Sequence, residues 1–172
     1  VTERTPGGAG GTGPSSGDRD ELYQATILDH DRAPRNAGEL AGATHHATVD
    51  NPLCGDVVTV HARIVDGEIR EIRFAARGCA LSRAAASIMT TMVRDRTPDA
   101  ARGLAAAFER FVAAPPDAPT HVAPADPAVV DGDDQLGELR AFAGVRRFRS
   151  RRVCATLGFR ALLRALDAPR AR

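Results

Sequence analysis

The sequence contains no lysine: all 23 basic side chains are arginine. That absence excludes a Schiff-base lysine, a Walker lysine and a serine-lysine nucleophile pair, and whole reaction classes with them. Aromatic residues are scarce at 4%, so Leu, Ile, Val, Ala and a few Phe must build the core, which a hydrophobic content of 43% permits. An excess of charge of either sign is missing too. The 23 basic residues face 22 acidic ones, and a net charge of +1 is not that of a dedicated nucleic-acid binder. No apolar run approaches the ~18 residues that a membrane span needs, and no secretory hydrophobic segment stands out. The expectation is a cytoplasmic protein of one ordinary domain, without membrane or nucleic-acid partners. Its 3 cysteines, an odd number for a reducing compartment, then point to metal binding or chemistry rather than disulfide stapling.

What is present divides the chain. Residues 1–18 are rich in Gly, Pro and Ser and read as a disordered tail. The glycines there make no phosphate loop, because no strand precedes them and no lysine follows. Residues 19–168 read as the folded domain, with a tail at 169–172. Asp18 and Glu21 resemble a capping box, and Leu22, Tyr23, Ile27 and Leu28 supply an apolar face for a helix ending near His30. Val58, Val60, Ala62 and Ile64 alternate with polar residues, Asp66-Gly67 offers turn chemistry, and Ile69, Ile72 and Phe74 follow, which predicts a hairpin. A further strand is expected near His45 to Val49. Helical spacing of Leu81, Ala84, Ala85, Ile88 and Met92 then predicts a helix, and Thr97-Pro98 caps another carrying Leu104, Phe108 and Phe111. A proline-rich insertion spans about 114–132, with five prolines between Pro115 and Pro127. Asp133 or Asp134 would cap a short helix with Leu136, Leu139 and Phe142 that stops near Gly144, and a last helix starts near Cys154. Strands first and helices afterwards argue for an α+β domain: a small antiparallel sheet of about three strands with helices on one face.

The cysteines hold similar local positions. Cys54 sits in the turn Asn51-Pro52-Leu53-Cys54-Gly55-Asp56, Cys79 follows Gly78 between a strand and a helix, and Cys154 opens the last helix. A helix N-terminus favours thiolate, so two of the three are expected to be activated. Asp56, two residues after Cys54, faces the same side of an extended segment. If these three places lie together, Cys54, Asp56, Cys79 and Cys154 form a set of three sulfurs and one oxygen that suits zinc. The other reading is three buried free cysteines and a turn-capping aspartate, and the spacing alone does not choose between them.

The segments Leu22 to His30, Pro34-Arg35-Asn36, Asn51 to Asp56, Gly78 to Ser87 and Cys154 to Leu157, taken in this order, resemble the IscU/NifU-like iron-sulfur cluster assembly family over about residues 20–167. The resemblance is greater to the SufU branch. Val153 stands where the IscU branch has a histidine before the third cysteine, and the stretch between Cys79 and Cys154 is long, as in SufU proteins. Asp31 and Phe159 depart from the family's usual tyrosine and tryptophan, outside the ligand set.

The resemblance implies a compact IscU/SufU-like fold with the three cysteines and Asp56 gathered at one exposed end. It implies a zinc ion on Cys54, Asp56, Cys79 and Cys154, and a sulfurtransferase-like role in which Cys54 accepts persulfide sulfur from a SufS-type, pyridoxal-phosphate cysteine desulfurase. The sulfur then passes to other cluster-assembly proteins. Arginines such as Arg77, Arg83, Arg151 or Arg152 would offset the site's negative charge. One alternative is a scaffold on which the same cysteines build a [2Fe-2S] iron-sulfur cluster. Another is a zinc-stabilised interaction module without catalysis. The basic run from Arg146 to Arg152 reads as a solvated loop that balances charge or docks an acidic partner, and Ser82 and Ser87 as capping or solvated hydroxyls.

Overall fold

The computed structural model describes residues 16–118 and 135–169, with side chains from residue 21 onward. The chain forms α1 (Ser16–Arg32), β1 (His45–Asn51), β2 (Asp56–Val65), β3 (Glu68–Arg77), α2 (Ala80–Val93), α3 (Pro98–Ala113), a 3-10 helix (Gly137–Arg147) and α4 (Arg149–Asp167). α1 starts two residues before the expected cap at Asp18. Most of the proline-rich segment, the proposed caps Asp133 and Asp134, and nearly all of the glycine-rich tail lie outside the described residues.

The sheet is antiparallel in the order β1-β2-β3, as the alternation predicts. Asp66 and Gly67 both take positive φ, 52° and 79°, the backbone that a tight primed turn between right-twisting strands requires. Asp56, Val58, Val60 and Ala62 of β2 are buried, with the intervening residues half-buried on the other face. In β3 the buried set is Ile69, Ile72 and Phe74, an odd step followed by an even one. A bulge explains it: Glu71 pairs with Arg63 but Ile69 with Ile64, so Arg70 is extra and both isoleucines face the core. His46 stacks on His61 across β1 and β2.

The helices cover one face. α4 packs on β1 and β2, α2 lies between α4 and β3, and α1 rests on α2. α1 presents Tyr23, Ile27 and His30 inward, whereas Leu22 and Leu28, expected on the apolar face, point to solvent. His30 is buried; its Nδ1 meets Ser87 Oγ at 2.7 Å and its Nε2 lies 3.4 Å from Glu138. Ser87 Oγ also accepts the Arg35 N–H at 2.8 Å. The neutral ring satisfies this set by donating from Nε2 and accepting the Ser87 hydroxyl at Nδ1. Burial, with the nearby Arg35 charge, holds the His30 pKa below its usual value despite Glu138 and Asp29. The arrangement resembles a Ser-His-Glu triad, but Ser87 is fully buried and committed, so its work is to fasten α1 and the following loop to α2. Of the two roles expected for Ser82 and Ser87, capping or solvated, the solvated one does not apply, since both are buried, and Ser82 Oγ donates to the carbonyl oxygen of Cys79 at the start of α2.

The basic run differs too. Arg146 is buried, stacks 4.0 Å over Phe111 and donates to the carbonyl oxygens of Phe111 and Ala118. It ties the 3-10 helix to the end of α3, a task for a rigid, always-charged fork rather than for a solvated loop. Among the described residues no helix is long and apolar enough to cross a membrane.

The spacing of α2 and α4 is set by small residues. Ala84, Ala85 and Ala86 are buried, and a Cβ added at Gly158 of α4 would lie 3.0 Å from the Cα and Cβ of Ala86. Gly158→Leu therefore forces the two helices apart. Thermal unfolding should show a loss of about 1–3 kcal/mol, a fall in melting temperature of ~2–4 °C per kcal/mol; an unchanged melting temperature would mean that this contact does not fix the helix spacing.

Candidate metal centre

Three junctions meet at one end of the sheet: the β1–β2 turn, the step from β3 into α2, and the second turn of α4. Pro52 favours an extended Asn51 at the end of β1, and the chain then reverses through residues 52–55, with Gly55 at φ 74°. Asn51 and Asp56 face each other as the closing pair of the hairpin and are both buried. Cys54 projects from the turn and is exposed. Cys79 is the N-cap of α2 and exposed, as expected.

Cys154 departs from expectation. α4 begins at Arg149 behind Phe148, which provides no side-chain cap, so Cys154 lies in the helix body and is buried. Burial, reinforced by a hydrogen bond with Cys54 and by the acidic groups of Cys79, Cys54 and Asp56, pushes its thiol far above the usual range. Helix-terminus activation thus does not apply to Cys154, and of the two cysteines expected at helix starts only Cys79 occupies one.

Three of the four predicted residues nevertheless come together, and the fourth, Cys79, adjoins them through Asp56. Cys54 Sγ and Cys154 Sγ are 3.6 Å apart, and Cys54, Asp56 and Cys154 offer ligand atoms all within 4.8 Å of one another. Cys79 joins through Asp56: its Sγ lies 3.1 Å from Oδ2, and its backbone N–H donates to Oδ1 at 3.1 Å. Burial alone would raise the Asp56 carboxyl. Hydrogen bonds from the Cys79 thiol and N–H, with contributions from Ser82 and Cys54, outweigh it and leave the pKa below the ordinary carboxylate value. Cys54 and Asp56 therefore do face one point, through a left-handed glycine rather than along an extended segment.

This set fits a tetrahedral divalent ion. With metal-sulfur bonds of about 2.3 Å and metal-oxygen bonds of about 2.0 Å, a tetrahedron has sulfur-sulfur edges of about 3.8 Å and sulfur-oxygen edges of about 3.5 Å. The observed 3.6 Å between the Cys54 and Cys154 sulfurs and 3.1 Å between Cys79 Sγ and Asp56 Oδ2 lie close to these edges, whereas Cys79 Sγ stands outside the 4.8 Å group and would have to swing inward to complete the tetrahedron. No histidine nitrogen joins the group among the described residues. Nor does an arginine there pair with Asp56: Arg83 is bound to Asp31, Arg151 lies over Phe148, and Arg152 donates to the carbonyl oxygens of Ala113 and Arg146. Three of the four expected arginine counter-charges, Arg83, Arg151 and Arg152, are committed elsewhere, and a cation bound among the acids would supply positive charge.

Two residues escaped the sequence reading of this site. Gly78 is essential to it, because a Cβ there would lie 2.5 Å from Cγ and Oδ1 of Asp56. Asn51 directs its side-chain amide N–H groups at Cys54 Sγ, 3.0 Å away, and at Cys154 Sγ, 3.7 Å away. The glycine before Cys79 was visible as a signal, whereas an asparagine before proline reads simply as a turn.

Residues 22–155 match the family described as NifU-like N terminal domain. An iron-sulfur cluster assembly scaffold protein IscU of Streptococcus pyogenes is 33% identical over 84% of this chain and 82% of its own. The zinc-dependent sulfurtransferase SufU of Bacillus subtilis is 29% identical over 83% of this chain and 88% of its own. Among solved structures, a NifU-like N-terminal protein from Brucella abortus superposes with a TM-score of 0.70 at 26% identity, over 86% of this chain and 93% of that one. A SUF-system scaffold from Fervidobacterium islandicum shares the fold at a TM-score of 0.70 and 22% identity, over 86% of this chain and 98% of that one.

Gly78→Ala tests the geometry. The added methyl must displace the Asp56 carboxylate, so zinc affinity measured by chelator competition should fall about 10–100-fold while far-ultraviolet circular dichroism stays native. Unchanged affinity would show that Asp56 takes no part in holding the ion.

Proposed function

The chain belongs to the family of NifU-like N-terminal domains, and from that membership we propose that it serves iron-sulfur cluster assembly as a zinc-bound sulfur acceptor. The observation that carries this reading is the grouping of Cys54, Asp56 and Cys154 at one end of the fold, with Cys79 against Asp56 and Cys54 on an exposed turn. Asp56, Cys79 and Cys154 hold the ion with Cys54. Bound zinc keeps thiols deprotonated at neutral pH and shields them from oxidation.

Cys54 is the acceptor. Cys154 is buried in a helix and Cys79 is anchored at a helix start, whereas Cys54 is held by a short turn beside the exposed Leu53. Its thiolate attacks the outer sulfur of a persulfide carried by a pyridoxal-phosphate cysteine desulfurase of the SufS type. A sulfur-sulfur bond forms at Cys54, the donor's sulfur-sulfur bond breaks, and the donor cysteine leaves as thiolate. No net oxidation occurs. A chain without lysine leaves the Schiff-base step to that partner. Other cluster-assembly proteins then receive the sulfur.

Similarity to the Streptococcus pyogenes scaffold supports a second reading, in which the same thiolates carry a [2Fe-2S] cluster. The donor set favours zinc, since Val153 precedes Cys154 and no imidazole nitrogen is present among the described groups.

Incubation of the zinc-loaded protein with a cysteine desulfurase and cysteine should add one sulfur to the peptide that contains Cys54 and accelerate cysteine turnover. Cys54→Ser should lose both effects. Equal acceleration by Cys54→Ser would refute the acceptor assignment, and efficient transfer of an anaerobically reconstituted cluster to an apo-ferredoxin would favour the scaffold instead.

A further inference from the structure

Asn51 occupies a place that the ligand set does not explain. It is 3% exposed, yet it carries an amide with two donors and one acceptor. Its Oδ1 accepts the Leu53 N–H at 3.2 Å, an Asx turn that fixes which way the amide faces. With Oδ1 so committed, Nδ2 must face the sulfurs, and it does: 3.0 Å to Cys54 Sγ and 3.7 Å to Cys154 Sγ. Its backbone oxygen accepts from the N–H groups of Cys54, at 3.3 Å, and Gly55, at 2.8 Å. One residue therefore sets the path of the acceptor turn and also addresses two sulfurs that come from opposite ends of the sequence.

Resting on the zinc reading above, we propose that Asn51 is a positioning residue whose two N–H donors bridge the Cys54 and Cys154 sulfurs, holding them at ligand separation and damping Cys54 while it is metal-bound. An N–H directed at a thiolate draws electron density from the sulfur. It stabilises the anion, fixes the side-chain rotamer and lowers nucleophilicity. The donors are effective because the amide is buried and does not exchange its partners for water. When Cys54 leaves the ion, it also leaves one of these bonds, while the contact to Cys154 is retained. Asn51 thus sets how firmly the acceptor is held before a partner arrives.

The test uses Co2+ as a spectroscopic probe in the full chain, with Asn51→Ala and Asn51→Ser. A serine hydroxyl still accepts the Leu53 N–H but is too short to bring a donor to the sulfurs, so it separates the turn from the donors. In both variants the sulfur-to-cobalt charge-transfer band should move to lower energy with tetrahedral d–d bands retained. Chelator competition should give an affinity about 10–100-fold weaker, and iodoacetamide should alkylate metal-bound Cys54 faster. A parent-like band and alkylation rate in Asn51→Ser would overturn the proposal, because the turn alone would then account for Asn51. A parent protein with no sulfur-to-cobalt band would instead overturn the zinc reading, and this inference with it.

Discussion

Three thiols and a carboxylate meet where, among the described residues, no arginine pairs with the carboxylate. Cys54, Asp56 and Cys154 offer ligand atoms within 4.8 Å of one another at one end of the sheet, and Cys79 adjoins them through Asp56. Cys154 shows the cost most plainly: burial and the neighbouring sulfurs push its thiol up. Asp56 escapes only because the Cys79 thiol and N–H donate to it. A divalent ion held there would offset both the desolvation and the mutual repulsion. The architecture around the site follows from the need to bring those groups together. The alanines of α2 and Gly158 of α4 let the two helices that carry Cys79 and Cys154 pack closely. Gly78 makes room for Asp56, and the Asn51 turn brings Cys54 over the other three.

Much of the fold was legible because strand and helix periods here are clean. Val58, Val60 and Ala62 alternate without interruption, and Asp66-Gly67 supplies the left-handed backbone of the hairpin. Thr97 accepts the Ala100 N–H at the start of α3, as its place before Pro98 implied. The start of α4 was not legible. Arg149, Ser150, Arg151 and Arg152 show neither a side-chain cap nor an apolar stripe, so the sequence pattern places the helix start at its first apolar turn, near Cys154. That displacement of a few residues changes the chemistry, since a cysteine in the second turn is buried rather than presented at the positive end of the helix.

The site was legible in its cysteines and aspartate and illegible in its supports. Cysteines at element junctions and a nearby aspartate announce a possible metal set, but convergence is a property of tertiary packing that spacing of this length cannot express. Arg146 illustrates the same limit. In sequence it belongs to a basic run typical of a solvated surface, and only the backbone carbonyls of Phe111 and Ala118, far away in the chain, explain why it is buried. The most informative residues of the site are the small and the neutral ones, Gly78 and Asn51, whose roles consist of space and direction rather than charge.

The central claim is that these four side chains hold one ion. Zinc K-edge X-ray absorption of the protein purified without added metal tests it directly. The account predicts one zinc per chain, with three sulfur neighbours at about 2.3 Å and one oxygen at about 2.0 Å. A shell made mainly of oxygen or nitrogen, or a protein that retains no zinc, would contradict it.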